Sequence, residues 1–96
     1  MEFEWDEGNV EKSVSRHEVT PKEAEEVFLD EESGVIPDIK HSLEEERFIA
    51  LGRTFERKNL FVVFTIRNHK ARIISARKMH RKEVEKYEKA KRNTHI

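Results

Sequence analysis

The chain has 96 residues, 35% of them apolar and 41% charged, with no cysteine and a formal net charge of −1. That length holds one small core, so the expectation is a single domain over residues 1–96, too small for a multi-domain enzyme. The lack of cysteine excludes disulfides, thiol nucleophiles and thiolate-bound zinc or iron–sulfur clusters.

The near-neutral sum conceals a division. Residues 1–46 carry 16 acidic against 4 basic side chains, and residues 47–96 carry 4 against 15. Such asymmetry points to nucleic acid or a charged partner, or to two halves whose fields cancel in the fold. No apolar run reaches the roughly 18 residues of a membrane span, and the first residues, MEFEWDEGN, lack the basic and apolar regions of a signal peptide, so a cytoplasmic location is expected.

Phe3 and Trp5 alternate with Glu2 and Glu4, the pattern of a short opening strand, and Asp6 is a candidate N-cap for a helix ending near His17. Val10, Val14 and His17 fall on one stripe of that helix, with His17 read as helix-end packing or capping. Thr20-Pro21-Lys22-Glu23 is a capping box with Pro at the first helical position. Val19 is placed to staple onto Ala24, while Ala24, Val27 and Phe28 give the buried face. This helix should stop near Leu29 or Asp30. Val35 to Ile39 reads as a weak edge strand, because Pro37 cannot donate to a ladder.

From Arg47 the pattern becomes a β-meander: Arg47 to Phe55, Leu60 to Arg67 and Ala71 to Arg77, with turns at Glu56–Asn59 and Asn68–Lys70. A basic amphipathic helix follows, with Val84, Tyr87 and Ala90 at helical spacing, and Asn93–Ile96 should fray. The expected fold class is α+β: a twisted antiparallel sheet with two N-terminal helices on one face and a C-terminal helix.

A three-residue loop at Asn68-His69-Lys70 would set Phe61 opposite Arg77 and Arg67 opposite Ala71. Thr65, Arg67, Ser75 and Arg77 would then share one face, and Leu60, Val62, Phe64, Ile66, Ile74 and Ala76 the other, with Arg72 a charged exception. Two arginines on an open face suit a phosphate, since their donor forks match its oxygens. The competing reading pairs both with carboxylates from the acidic half. Trp5 is open to two readings as well, core packing or a base-stacking platform.

Histidines at 17, 41, 69, 80 and 95 show no metal-ligand spacing, and no phosphate-loop, dinucleotide or hydrolase motif is present, so no metal or other cofactor is expected. In the run His41-Ser42-Leu43-Glu44-Glu45-Glu46-Arg47, Glu44 and Glu45 read as a solvated turn, whereas Glu46 is placed to lie near the sheet.

The motifs F-x-W-D-x-x-N at Phe3 to Asn9, H-S-x-x-E-E-R at His41 to Arg47, V-F-T-x-R at Val63 to Arg67 and R-I-I-S-A-R at Arg72 to Arg77 run in order along the chain. Together with R-H-x-V at Arg16 to Val19 and K-E-x-x-x-Y at Lys82 to Tyr87, they resemble the BrnT toxins of type II toxin–antitoxin systems. One departure stands out: the family's Lys-His-Gly at the end of the first helix reads Arg16-His17-Glu18 here.

The resemblance implies a RelE-like fold and a ribonuclease that arrests translation. It further implies neutralisation by a ribbon-helix-helix (BrnA-like) antitoxin, with promoter DNA bound only through that partner. It places the site at Trp5, Glu46, Arg67 and Arg77, with Arg72, Arg81, Glu83 and Tyr87 flanking. Cleavage by the RNA's own 2′-OH needs a base, for which Glu46 or His41 are candidates, and cations for the growing phosphate charge, which Arg67 and Arg77 supply. Trp5 would stack on a base. Against this stands a non-catalytic module that binds nucleic acid or docks a partner through the same basic half.

Overall fold

The computed structural model describes residues 2–41 and 45–93. The expectations for Ser42 to Glu44 and for fraying of 94–96 therefore lie outside the described residues. Five strands form one sheet in the order β1-β5-β4-β3-β2: β1 (Glu2–Trp5), β2 (Gly34–Pro37), β3 (Phe48–Arg53), β4 (Asn59–Arg67) and β5 (Lys70–Lys78). The helices are α1 (Glu7–His17), α2 (Pro21–Glu26) and α3 (Arg81–Asn93).

The sheet is mixed rather than antiparallel throughout. β2 to β5 form antiparallel pairs, but β1 runs parallel to β5, with Phe3 beside Ala71 and Trp5 beside Ile73. This placement puts the two aromatic residues of β1 over the core, where they pack against its buried cluster. Both edge strands are four residues long, which leaves little bare backbone for unwanted pairing.

The core lies between one face of the sheet and the first two helices. Val19, Ala24 and Val27 meet Ala50, Leu60, Val62, Phe64, Ala71, Ile73 and Ala76, all buried. Phe28 bridges the ring of Phe3, at 5.1 Å between centroids, and that of Phe64, at 4.9 Å.

Local sequence explains most of the helix geometry. Asp6 caps α1 by accepting from the Gly8 amide at 2.9 Å. The capping box of α2 is complete: the Glu23 amide donates to the Thr20 hydroxyl oxygen at 3.2 Å and the Thr20 amide to Glu23 Oε1 at 3.0 Å. α2 tightens into a 3₁₀ turn over Val27–Leu29 before the chain reverses.

α1 differs from its expected stripe. Ser13 is the buried residue, while Val14 is 44% exposed and His17 is exposed. The helix lies directly on β5, where a small side chain lets the backbones approach, and Val19 beyond the helix end supplies the apolar contact instead. That end is a left-handed cap at Glu18, φ 55°, with the Val19 amide donating to the Ser13 carbonyl at 2.9 Å.

The β4–β5 hairpin also corrects the sequence reading. Its loop has two residues, Asn68 and His69, both at positive φ, so Arg67 faces Lys70 and Thr65 faces Arg72. Ile74 is then an extra residue in β5, bulged between the Phe64–Ile73 and Val63–Ser75 pairs. The bulge restores the expected Phe61–Arg77 pairing and moves Arg72 off the apolar face. Ile66 keeps the parity of Phe64 but lies beyond the helices and is 46% exposed.

Candidate functional site

The second face of the sheet carries Ile49, Leu51 and Arg53 from β3, Phe61, Val63, Thr65 and Arg67 from β4, and Arg72 and Arg77 from β5. α3 covers one end of it. Arg53 Nη2 meets Glu88 Oε1 at 2.6 Å and its guanidinium lies 5.6 Å from the Tyr87 ring, while Glu83 holds Arg77. The remainder is an arginine-bearing surface with an apolar floor: Arg47, Arg77 and Asp38 border a hollow of about 370 Å³ floored by Ile49, Phe61, Val63 and Ile74.

Arg77 stacks over Phe61, 3.9 Å from the ring centroid, and its two terminal nitrogens donate to the two oxygens of Glu83, each at 2.8 Å. This fork, aided by the His80 amide, holds the Glu83 carboxyl below the usual carboxylate range. Arg67 is held the same way by Glu45: Nε to Oε2 is 2.7 Å and Nη2 to Oε1 is 3.2 Å. That contact holds the Glu45 carboxyl below the usual carboxylate range and pushes the Arg67 guanidinium above its ordinary value. Glu45 is thus the carboxylate at Arg67. Glu46 offers its backbone carbonyl to the Thr65 hydroxyl at 2.7 Å and leaves its side chain exposed beside Pro37, Ile39 and Phe48.

Arg67 and Arg77 share a face without converging. Arg77 sits opposite Phe61, six residues along β4 from Arg67; at a strand rise of about 3.3 Å per residue, their attachment points are roughly 20 Å apart. One phosphate cannot touch both. A strand of RNA laid along the hairpin can.

The remaining candidates divide between the faces. Arg72 joins the Arg67 end, 3.9 Å from both Glu4 and Asp6. Arg81, at the start of α3, is almost fully exposed and lies 3.7 Å from Glu85. Trp5 is on the opposite face, packed on the core, with its indole nitrogen buried and unpartnered among the described residues. Tyr87 is 3% exposed, and its hydroxyl donates to Asp30 Oδ2 at 2.6 Å. Burial and that carboxylate push its ionisation well above the ordinary tyrosine value. As they stand, neither ring meets a strand on the basic face.

Two residues at this site escaped the sequence reading. His17 and His80 line one hollow with Arg77 and Lys78, although they stand 63 positions apart in the chain. The sequence signal was the position of His17 at the end of the first helix.

The description "ribonuclease toxin, BrnT, of type II toxin–antitoxin system" belongs to the family whose profile matches residues 5–83. A match of that extent covers most of the chain, which belongs to the BrnT family of ribonuclease toxins. Membership implies RNA as target and an antitoxin protein as partner. No curated protein matches the chain. No helix among the described residues is long and apolar enough to cross a membrane.

Proposed function

We propose that the chain is a metal-independent endoribonuclease that arrests translation in the cytoplasm, its whole length acting as one toxin domain of RelE-like arrangement. The observation that carries this reading is the second face of the sheet, where Arg47 and Arg77 flank an apolar floor and Arg67 and Arg72 lie further along the hairpin. Arginine forks bind phosphates, and the floor receives unstacked bases.

The RNA's 2′-OH attacks the adjacent phosphorus. The O2′–P bond forms, the P–O5′ bond breaks, and the products are a 2′,3′-cyclic phosphate and a 5′-hydroxyl. Arg77 stabilises the charge that grows on the phosphoryl oxygens, exchanging its Glu83 partner for substrate. Arg67 and Arg72 hold the strand about 20 Å further along the hairpin, with Glu46 and Arg81 at the margins. Trp5 contributes as core packing that fixes β1 against β5.

The partner is a ribbon-helix-helix antitoxin, which alone contacts promoter DNA. Its acidic segment lies over Arg67 and Arg77 and competes with RNA there. Complementary charge speeds that association and selects the partner.

The test is cleavage of an RNA oligonucleotide in excess EDTA, with the product ends analysed. Cyclic-phosphate and 5′-hydroxyl ends, unchanged by the chelator, are expected. Cleavage abolished by EDTA, or 5′-phosphate ends, would refute the mechanism.

A further inference from the structure

β1 pairs with β5 only as far as Ile73, so among the described residues the outer edge of β5 beyond that point carries no strand. The C-terminal end of α1 lies against it and encloses a hollow of about 330 Å³. One wall is Arg16, His17 and Glu18; the other is Arg77, Lys78 and His80. Lys78 Nζ lies 3.8 Å from Glu18 Oε2, tying the walls together. Glu83, from α3, joins His80 to Arg77: it accepts from the His80 amide at 2.6 Å, lies 4.0 Å from His80 Nδ1, and takes the Arg77 fork. Arg77 also borders the hollow on the sheet face. A phosphodiester held by Arg77 is therefore reached from both sides of the β5 end.

We infer that His17 and His80 are the proton-transfer pair of the ribonuclease site, acting on a single-stranded RNA phosphodiester held by Arg77 in this hollow. The assignment rests on the ribonuclease reading above. The inventory of charges supports it. The hollow is lined by three permanent cations, Arg16, Arg77 and Lys78, which suit an anionic phosphodiester. Glu18 in the lining lies 3.8 Å from Lys78, and Glu83, which Arg77 releases for substrate, keeps the His80 amide as its donor. Imidazole is the side chain that both takes and returns a proton near neutral pH, and two of them face the hollow from opposite walls. Both histidines are exposed, so substrate reaches their ring nitrogens.

In the step that follows, a neutral imidazole takes the 2′-OH proton as O2′ bonds to phosphorus. The imidazolium opposite gives its proton to the departing 5′-oxygen. His80, whose Nδ1 lies 4.0 Å from Glu83 Oε1 beside the Arg77 fork, is assigned as the acid, and His17 on the opposite wall as the base.

The test uses His17→Gln and His80→Gln in the full chain. Single-turnover cleavage of an RNA oligonucleotide is measured across pH, together with affinity for the same oligonucleotide carrying 2′-deoxyribose throughout. Each variant should lose about 10²- to 10⁴-fold in cleavage rate, bind the deoxy strand within threefold of the parent, and lose one limb of a bell-shaped pH profile. A folded variant of either histidine that cleaves within threefold of the parent overturns the pair while leaving the ribonuclease reading intact. A parent protein that cleaves no RNA overturns that reading, and the pair with it.

Discussion

Tyr87 donates a 2.6 Å hydrogen bond from its hydroxyl to Asp30 Oδ2, which joins the last helix to the loop after α2 across 57 positions of chain. The same carboxylate oxygen accepts the Arg53 amide of β3 at 2.8 Å. One aspartate thereby ties three elements together. Tyr87→Phe keeps the buried ring and removes the donor, so an equilibrium unfolding measurement should show a loss of about 1.5 to 3 kcal/mol, the range for hydrogen bonds to charged groups. Stability equal to the parent would mean that the bond contributes nothing.

The acid response of the fold follows from Glu23, Glu45 and Glu83. Each is held below the ordinary carboxylate value, by Lys58, Arg67 and Arg77 in turn. A folded value lower than the unfolded one gives stability that is fully present above about pH 4.5 and is lost as pH falls through the folded values. The urea midpoint should hold steady from pH 7 to 5 and drop below pH 4, and Glu83→Gln should flatten that drop. Tyr87, shifted upward, contributes in the opposite sense: its share is present at neutral pH and is lost in strong alkali, above the ordinary tyrosine value of 10.

Glu18 occupies a left-handed cap, φ 55°, where glycine carries no steric penalty. Glu18→Gly should raise stability by about 0.5 to 1 kcal/mol, seen as an increase in Tm. The Lys78 contact that it removes is highly exposed at Glu18 and weak. A fall in Tm would show that the cap is not strained.

Gly52 is needed for a different reason. A methyl group there would lie 2.7 Å from Val27 Cγ1 and 3.1 Å from the Val27 carbonyl oxygen. Gly52→Ala forces β3 away from the 3₁₀ turn and should cost about 1 to 3 kcal/mol. An unchanged melting curve would contradict the close packing described.

Much of the fold was legible in the sequence because its signals are local. Thr20 and Glu23 specify a capping box by spacing alone, and the β-branched run of β4 marks a central strand. Long-range placement was harder to read. Side-chain parity without a bulge predicts a three-residue loop; Asn68 and His69 at positive φ together with the bulged Ile74 satisfy the same parity with two. The parallel pairing of β1 with β5 turns Trp5 to the core side, a consequence of tertiary contact that alternation cannot show. For Tyr87, helical spacing with Val84 marks the stripe of α3 that packs on the sheet, while its partners Arg53 and Asp30 follow only from the docking of α3. Glu45, adjacent to the residue favoured by motif, is the partner of Arg67 because the chain before β3 turns it toward the end of β4.

The central claim is that RNA is held and cleaved along the face running from Arg67 to Arg77. The most direct measurement is cleavage of an RNA oligonucleotide by the Arg67→Ala/Arg77→Ala protein, with circular dichroism and a melting curve to establish its fold. Loss of an arginine that stabilises transition-state charge is expected to cost about 2.7 to 4 kcal/mol in activation free energy, or about 10²- to 10³-fold in rate, so the folded double variant should cleave at least about 10²-fold more slowly and should permit growth where the parent arrests it. A folded double variant that cleaves RNA at the parent's rate would contradict the account.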